Sequence, residues 1–516
     1  MEFVIIITYT LCLLFIFFFS LGQLHLTLHY LKSRKEPKTS PQPVWASSHT
    51  FATADLQPAG SADPAKEEYF PPVTVQLPIY NEKYVVERLL EAIAAFDYPQ
   101  DKLEIQVLDD STDETVAIIA AKVAELQSEG LNIHHIRRAN RKGYKAGALE
   151  NGLHLAHGEF IAIFDADFLP YPDFLLRTIP WFGDAEIGAV QTRWGHINRD
   201  YSLLTRLQAF GLDGHFTIEQ GGRNHAGSFI NFNGTGGVWR RKCIEDAGGW
   251  SDDTLTEDLD LSYRAQIRGW RFKYLEEVEA PAELPVLMPA IKSQQFRWNK
   301  GAAECARKHF GQIMRKMVVS KPGRSFGFAN KLHAFFHLFN SSIFVFLLFA
   351  AVLSIPMLFI KQTHPELNML FYAGGIFLIG FFAIGFFYWI STQQLYPGRK
   401  WRYYLKTYPL FLTIMMGLSL HNAMAVVEGL LGFKTPFMRT PKFNIRTAQD
   451  TWKKNIYISR KISPSTLFEP FLALYFFYGI YSSIQMGDFG LILFHLMLAI
   501  GFSCVAFYSI IQVKHG

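Results

Sequence analysis

Five stretches of this chain run without a single Asp, Glu, Lys or Arg: 3–30, 334–360, 367–394, 471–487 and 489–513. About 20 consecutive apolar residues are enough to cross a bilayer as a helix, so most of these runs are long enough to span one. They explain why only 18% of the 516 residues are charged, against about 25% in an average soluble chain. Intrinsic disorder is excluded as the main state, and so is an ordinary cytosolic enzyme. The first run follows Glu2, is too long for a signal peptide and has no A-x-A site after it, so it reads as an anchor. The net charge of +5 is too weak to point to nucleic acid. Cys12, Cys243, Cys305 and Cys504 lie far apart with no C-x-x-C, which supports neither a zinc site nor a disulfide framework.

Basic residues collect on the cytoplasmic side of a membrane. Lys32, Arg34 and Lys35 follow the first run, which puts the N-terminus outside and residues 35–333 inside. A further apolar run, 407–427, has basic residues on both flanks: Arg399, Lys400, Arg402 and Lys406 before it, and Lys434, Arg439, Lys442, Arg446, Lys453, Lys454, Arg460 and Lys461 after it. Both ends therefore favour the cytoplasm, and 405–430 is expected to be an interfacial or re-entrant helix. Five spans result, one before the soluble region and four after it; a simple sixth crossing is the alternative.

Residues 33–72 are rich in Pro, Ser and Ala and read as a linker. Beyond them, strand-like runs (73–78, 104–109, 132–137, 159–164, 188–194) alternate with helix-like runs (82–95, 112–128, 145–156, 172–181). This order predicts an α/β domain with a mostly parallel sheet, whose ligands bind beyond the carboxyl ends of the strands. Neither G-x-G-x-x-G after the first strand nor a P-loop is present. The predicted strand ends carry Pro78, Tyr80, Asn81 and Glu82; Asp109 and Asp110; and Asp165 and Asp167. Each acid alone suits a helix N-cap, but three strands delivering such residues to one rim make a site. Asp165-Ala166-Asp167 suits a hard divalent cation completed by phosphate oxygens and water. Lys145 opens a helix whose N-terminal end favours anions.

Three denser clusters follow. Asn231-Phe232-Asn233-Gly234-Thr235-Gly236-Gly237 has glycines that allow close backbone approach to a ligand. Thr256-Glu257-Asp258-Leu259-Asp260 crowds three acids, which can raise one of them toward the range of a general base. Gln294-Gln295-Phe296-Arg297-Trp298 pairs a guanidinium suited to phosphate with an indole suited to a sugar face.

In this order and between apolar runs, these motifs resemble the membrane-embedded, processive members of glycosyltransferase family 2, most closely the cellulose synthase-like glucomannan and xyloglucan-backbone synthases. The resemblance covers roughly residues 70–513. It implies a glycosyltransferase A-type fold and inverting transfer of a hexose from UDP-glucose or GDP-mannose to a growing β-linked polysaccharide that is extruded across the membrane. It implies that Pro78, Tyr80, Glu82, Asp109, Asp110, Lys145, Asp165, Gln294, Arg297, Thr440 and Lys442 contact the nucleotide sugar, and that Asp165 and Asp167 hold Mg²⁺ or Mn²⁺. Asp258 would be the base, supported by Glu257 and Thr256, while Trp298, Phe232, Gly234 and Thr235 would meet the acceptor. Phe437-x-x-Thr440-x-Lys442 is similar to the family's F-x-x-T-x-K gating loop. Two departures stand out: Asn231-Phe232-Asn233 replaces two aromatics and a cysteine of cellulose synthases, and Tyr144 replaces an alanine.

The domain plan expected is an anchor (1–32), a linker (33–72), the glycosyltransferase domain (73–290), amphipathic interface helices (291–333), two spans (334–398), an interface or re-entrant helix with the gating loop (399–465), and two more spans (466–513). Partners are the donor, the polysaccharide (or lipid) acceptor and the bilayer; no nucleic acid is expected, and the sequence names no protein partner. A bacterial inner membrane is the expected location. One alternative is single-sugar transfer to a lipid, as in ceramide glucosyltransferases. A transporter or scaffold with an inactive domain would need charged residues within the spans, where only histidines such as His337, His421 and His495 occur.

Overall fold

A computed structural model of the chain describes residues 1–36, 70–315, 328–398, 400–447, 449–453, 455–458 and 462–514. Most of the expected linker (37–69), part of the expected interface segment (316–327), and Arg399, Lys454, Arg460 and Lys461 lie outside the described residues.

The long helix α1 (Glu2–Ser33) precedes the α/β region. There, β1 (Val73–Ile79), α2 (Val86–Ala94), β2 (Leu103–Asp109), α3 (Thr115–Ser128), β3 (Ile133–Arg137), α4 (Tyr144–Leu155), β4 (Phe160–Ile163), α5 (Phe174–Thr178) and β5 (Ile187–His196) follow in the expected alternation. β1 and β2 are buried on both faces, as helix-covered parallel strands must be. Their inward polar groups are bonded in turn: Thr74 Oγ1 donates to Glu104 Oε2 at 2.6 Å.

After β5 come α6 (Leu203–Gly214), a π-helical turn (His215–Gln220) and α7 (Gly221–His225), then β6 (Gly237–Arg240), α8 (Arg241–Asp246), α9 (Glu257–Ile267) and β7 (Arg271–Ala282). Among the described residues the sheet has seven strands in the order β3-β2-β1-β4-β6-β5-β7. All pairs are parallel except the two made by β6, so the mostly parallel α/β sheet is as expected. β6 and β7 escaped the sequence reading. β6 is only four residues long, and β7 (RFKYLEEVEAPA) is charged and pairs with β5 through register shifts that break its alternation. The order reverses at β1, with β2 to one side and β4 to the other, so the crevice outside their carboxyl ends is where a ligand would bind.

α10 (Met288–Arg315) and α11 (Phe328–Leu338) lead into the apolar helices α12 (Ile343–Thr363), α13 (Asn368–Ala373) and α14 (Leu378–Leu395). α15 (Lys400–Gly417) and α16 (Ser419–Leu431) follow, then α17 (Pro464–Gln485) and α18 (Ile492–Lys514). Among the described residues, five helical segments are long and apolar enough to cross a membrane: Glu2–Ser33, Asn340–Thr363, Pro365–Leu395, Pro464–Gln485 and Ile492–Val513. α15 and α16 meet at a 52° bend and would add a sixth only if the bent pair were one span. α17 begins seven residues before the expected run, at Pro464, because Glu469, which ended that run in sequence, is buried against Lys292 Nζ at 2.6 Å. The α/β region sits on α1 through Gln23 Nε2, which donates to Glu219 Oε1 at 2.8 Å, and through Tyr30 Oη, which donates to Glu276 Oε1 at 2.8 Å.

Candidate active site

The carboxyl ends of β1 and β4 open into a cleft with about 1260 Å³ of empty space. Pro78, Tyr80 and Glu82 line it from the end of β1, Asp165 and Asp167 from the end of β4, Lys145 from the first turn of α4, and Thr256, Glu257 and Asp258 from the start of α9. α10 contributes Gln294, Arg297 and Trp298, which fall on one helical face at spacings of three and four. Thr440 and Lys442 reach it from the segment after α16. Residues separated by more than 350 positions thus share one cavity.

Lys145 is central. Its Nζ donates to Asp165 Oδ1 at 2.6 Å and to the Gly234 carbonyl at 2.8 Å, and lies 3.9 Å from Glu257 Oε1. Burial opposes the ammonium, yet Asp165 and Glu257 hold its pKa above the ordinary lysine value. Gly234 has φ +79°, and a Cβ there would stand 3.1 Å from Asp258 Oδ2, so this loop needs glycine to pass the acid. Burial, reinforced by the Glu257 charge, pushes Asp258 up to about 7, with Lys145 working the other way. Glu82 is likewise pushed up to about 7 by burial, although Arg439 and Lys442 oppose the rise. The third acid of the cluster, Asp260, has a different part. It is fully buried away from the cleft, and despite that burial His309 (2.7 Å), Arg264 (2.8 Å) and Lys308 (2.7 Å) hold its carboxyl well below the ordinary range.

The segment after α16 covers the cleft through several contacts. Arg297 Nη2 donates to Thr440 Oγ1 at 2.8 Å, Lys442 Nζ to Asp167 Oδ2 at 2.5 Å, and Arg439 pairs with Glu82 at 2.9 Å while donating to the Tyr80 carbonyl at 2.9 Å. Burial lowers the pKa of Arg297, offset in part by Glu257, Asp165 and Asp167.

Three expected contacts turn elsewhere. Asp109 is buried and closes onto the Ser111 amide (2.8 Å) and His135 Nε2 (2.8 Å), tying β2 to β3, so Asp110 is the acid of that pair at the cleft, gripped by Arg138. Phe232 packs in the core against Trp239, with ring centroids 5.2 Å apart. Thr235 is buried, and its Oγ1 accepts from the Asp165 amide at 2.9 Å, so it braces the acidic pair without facing the cavity. Asn233 and Gly234 face the cleft between these two buried side chains.

The lining also includes Asn233 and Phe437, which the sequence motifs contain without a contact of their own, and Arg141, Trp194, Glu283 and Arg439, to which no role was given. Trp194 lies near the end of β5, where the strand-end rule would have found it, and Arg439 sits inside the F-x-x-T-x-K stretch.

The lining holds seven carboxylates (Glu82, Asp110, Asp165, Asp167, Glu257, Asp258, Glu283) against five lysines and arginines. Asp167 is 4% exposed, and its Oδ1 is buried with no hydrogen-bond partner. Arg138 and Arg88 pair with Asp110 and Glu283 from outside the lining, so the orphaned Asp167 oxygen is what fits a hard divalent cation that takes its remaining ligands from diphosphate and water. Among the described residues no group of three or more His, Cys, Asp or Glu side chains forms a ready-made metal cage.

Residues 71–301 match the family described as glycosyltransferase like family 2. The chain is 47% identical over 257 residues to glucomannan 4-beta-mannosyltransferase 2 of Arabidopsis thaliana, covering 48% of this chain and 48% of that one. It is 45% identical over 275 residues to probable glucomannan 4-beta-mannosyltransferase 11 of Oryza sativa subsp. japonica, covering 52% and 47%. The chain spans about half the length of the curated relatives it matches. A mannosyltransferase from Pyrobaculum calidifontis, solved in complex with GDP-Man and Mn²⁺, overlays with a TM-score of 0.47 at 21% identity, over 81% of this chain and 100% of that one. The curated relatives named here are plant proteins, so the expected bacterial inner membrane has no support from them.

Proposed function

We propose, from the match of residues 71–301 to the family described as glycosyltransferase like family 2, that the protein is a multi-pass membrane mannosyltransferase extending a β-linked polysaccharide. Of the two donors the sequence left open, UDP-glucose and GDP-mannose, the names of the curated relatives favour a mannosyl donor, hence GDP-mannose. The observation that carries the reading is the meeting of Lys145, Asp165, Asp167, Asp258, Arg297 and Lys442 in one cleft.

An acceptor hydroxyl attacks the anomeric carbon from the face opposite the diphosphate. The new bond joins that oxygen to the sugar, the bond from the sugar to the phosphate oxygen breaks, and inversion results. Asp258 takes the hydroxyl proton; its raised pKa suits a base working near neutrality. Lys145, Arg297 and Lys442 take up charge developing on the diphosphate, fixed in place before reaction and shielded from water. Tyr80, Glu82 and Asp110 line the nucleoside end, and Trp298 offers an indole face to the acceptor. Asp165 and Asp167 would hold Mg²⁺ or Mn²⁺, which when bound supplies further charge neutralisation of the leaving diphosphate. The apolar helices packed beside α10 support a membrane position, with the catalytic region on the cytoplasmic side and the polymer leaving through the bundle.

Full-length protein in lipid, incubated with labelled GDP-mannose, GDP-glucose, UDP-glucose and a divalent metal, is expected to build long mannose-containing chains. A single sugar on lipid would favour the lipid-acceptor alternative, and no transfer from any donor would overturn the proposal.

A further inference from the structure

The residue preceding the cleft lysine occupies backbone space that a tyrosine seldom takes. Tyr144 has φ +50°, directly after Gly143 at φ +72°. Non-glycine residues persist there only where their surroundings hold them. Here the Tyr144 amide donates to the Arg141 carbonyl at 3.1 Å, and its carbonyl accepts from Arg138 Nη2 at 3.1 Å. Arg138 is in turn locked on Asp110 at 2.9 and 2.5 Å. A glycine would take the same backbone without strain, so what tyrosine contributes must lie in its ring. The residue is 36% exposed and is not part of the core.

The ring stacks on Phe437 of the segment covering the cleft, with centroids 5.6 Å apart and planes 27° from parallel. The Arg141 guanidinium lies 4.9 Å from its centroid and 3.4 Å from that of Tyr80. Phe437 meets the Arg297 guanidinium at 4.9 Å. A row of π faces and cations therefore runs Tyr80–Arg141–Tyr144–Phe437–Arg297, from the end of β1 through α4 and the covering segment to α10. The segment's polar contacts differ in kind. Thr440 and Lys442 bond to Arg297 and Asp167, groups that an arriving diphosphate and cation would themselves engage. The aromatic contact is outside that competition and can persist while the polar ones exchange.

We propose that Tyr144 is a positioning residue: its ring is the seat on which Phe437 docks, holding the covering segment so that Thr440 and Lys442 stand over the cleft. This rests on the reading above that the cleft takes a nucleotide sugar. Because Lys145 is the next residue, the seat of the segment and the ammonium facing the diphosphate belong to one helical turn.

The test uses the full chain in lipid nanodiscs, comparing Tyr144→Gly, Tyr144→Phe, Phe437→Leu and the double variant Tyr144→Gly/Phe437→Leu. Glycine suits the φ of +50° at this position, so Tyr144→Gly removes the ring without backbone strain, and a cooperative melting transition close to the parent's checks that the fold is kept. Trypsin cleavage after Arg439 and Lys442 is expected to quicken by about two- to tenfold in Tyr144→Gly, the worth of one aromatic pair. Phe437→Leu should match it, Tyr144→Phe should follow the parent, and the double variant should be no faster than either single. Donor KM should rise by about the same factor, with kcat nearly kept. Parental cleavage rates in Tyr144→Gly, equal acceleration in Tyr144→Phe, or multiplied effects in the double variant would overturn the seat. Failure of the parent to transfer any sugar would instead count against the function, since the cleavage rates do not depend on turnover.

Discussion

Replacing Glu257 by Gln should move the pH dependence of sugar transfer toward acid. Asp258 is lifted to about 7 by burial first and by the Glu257 charge second. The substitution keeps the burial and removes the charge. A like charge beside a carboxylate is typically worth about one unit or more, so the midpoint should settle near 6 and not return to the ordinary carboxylate range. A base acts when deprotonated, so the rate rises with pH through this midpoint. At pH 6 a group with a pKa of about 7 is roughly one-tenth ionised, whereas one at about 6 is half ionised. Transfer by Glu257→Gln at pH 6, measured against its own high-pH plateau, should therefore be about fivefold greater than for the parent. The assay is kcat/KM for labelled nucleotide sugar from pH 5 to 9, normalised within each variant so that loss of amplitude does not enter. A midpoint that stays put or moves toward alkali would refute the assignment of Asp258 as the base facing Glu257.

Asp258→Asn should lower turnover by about 10²–10⁴-fold, the usual contribution of a positioned base, while calorimetry finds donor affinity retained. Asp165→Asn combined with Asp167→Asn should abolish the difference in nucleotide affinity measured with and without Mg²⁺ or Mn²⁺. Lys292→Met would leave Glu469 buried and uncompensated. Losing one partner of a buried pair costs about 3–5 kcal/mol, visible as a lower melting temperature in lipid, and Lys292→Met/Glu469→Gln should recover most of it.

Elements with strong periodicity and turn punctuation were legible in the sequence. The parallel strands β1, β2 and β4 begin and end within one residue of the expected runs 73–78, 104–109 and 159–164. β7 was not legible because a strand carrying Arg271, Lys273, Glu276, Glu277 and Glu279 takes its stability from pairing with β5, a non-local contact. At the site, residue types gave the cluster but not the facing. Asp109 and Asp110 are neighbours with opposite duties, and only the backbone direction at the end of β2 decides which meets the cleft. Phe232 and Thr235 flank Asn233 and Gly234, which line the cleft, yet Phe232 turns into the core against Trp239 and Thr235 onto the Asp165 amide. The Phe437–Tyr144 stack joins residues 293 positions apart, and no local pattern predicts it.

α10 explains how the cleft can be held firmly against the apolar helices. One side of this helix carries Gln294, Arg297 and Trp298 into the cavity. The rest is fastened elsewhere: the Met288 amide donates to Gln512 at 2.7 Å, Lys292 to Glu469 at 2.6 Å, Asn422 to Gln295 at 2.7 Å, and Lys300 pairs with Glu428 at 3.0 Å. His421 meets the Lys292 carbonyl at 2.9 Å. These partners belong to α16, α17 and α18, so three apolar helices hold the rotation of α10 about its own axis. Gly301 lets it approach the start of α9: a Cβ there would fall 2.5 Å from the Thr256 side chain. A turn of α10 by one residue's worth of rotation would swing Arg297 out of reach of Thr440 and move Trp298 off the cavity. Transition-state stabilisation by fixed charges depends on their not having to reorient during reaction. In this chain the fixing is done by ion pairs and hydrogen bonds drawn from the apolar helices, so under the proposed function those helices would be part of the catalytic apparatus.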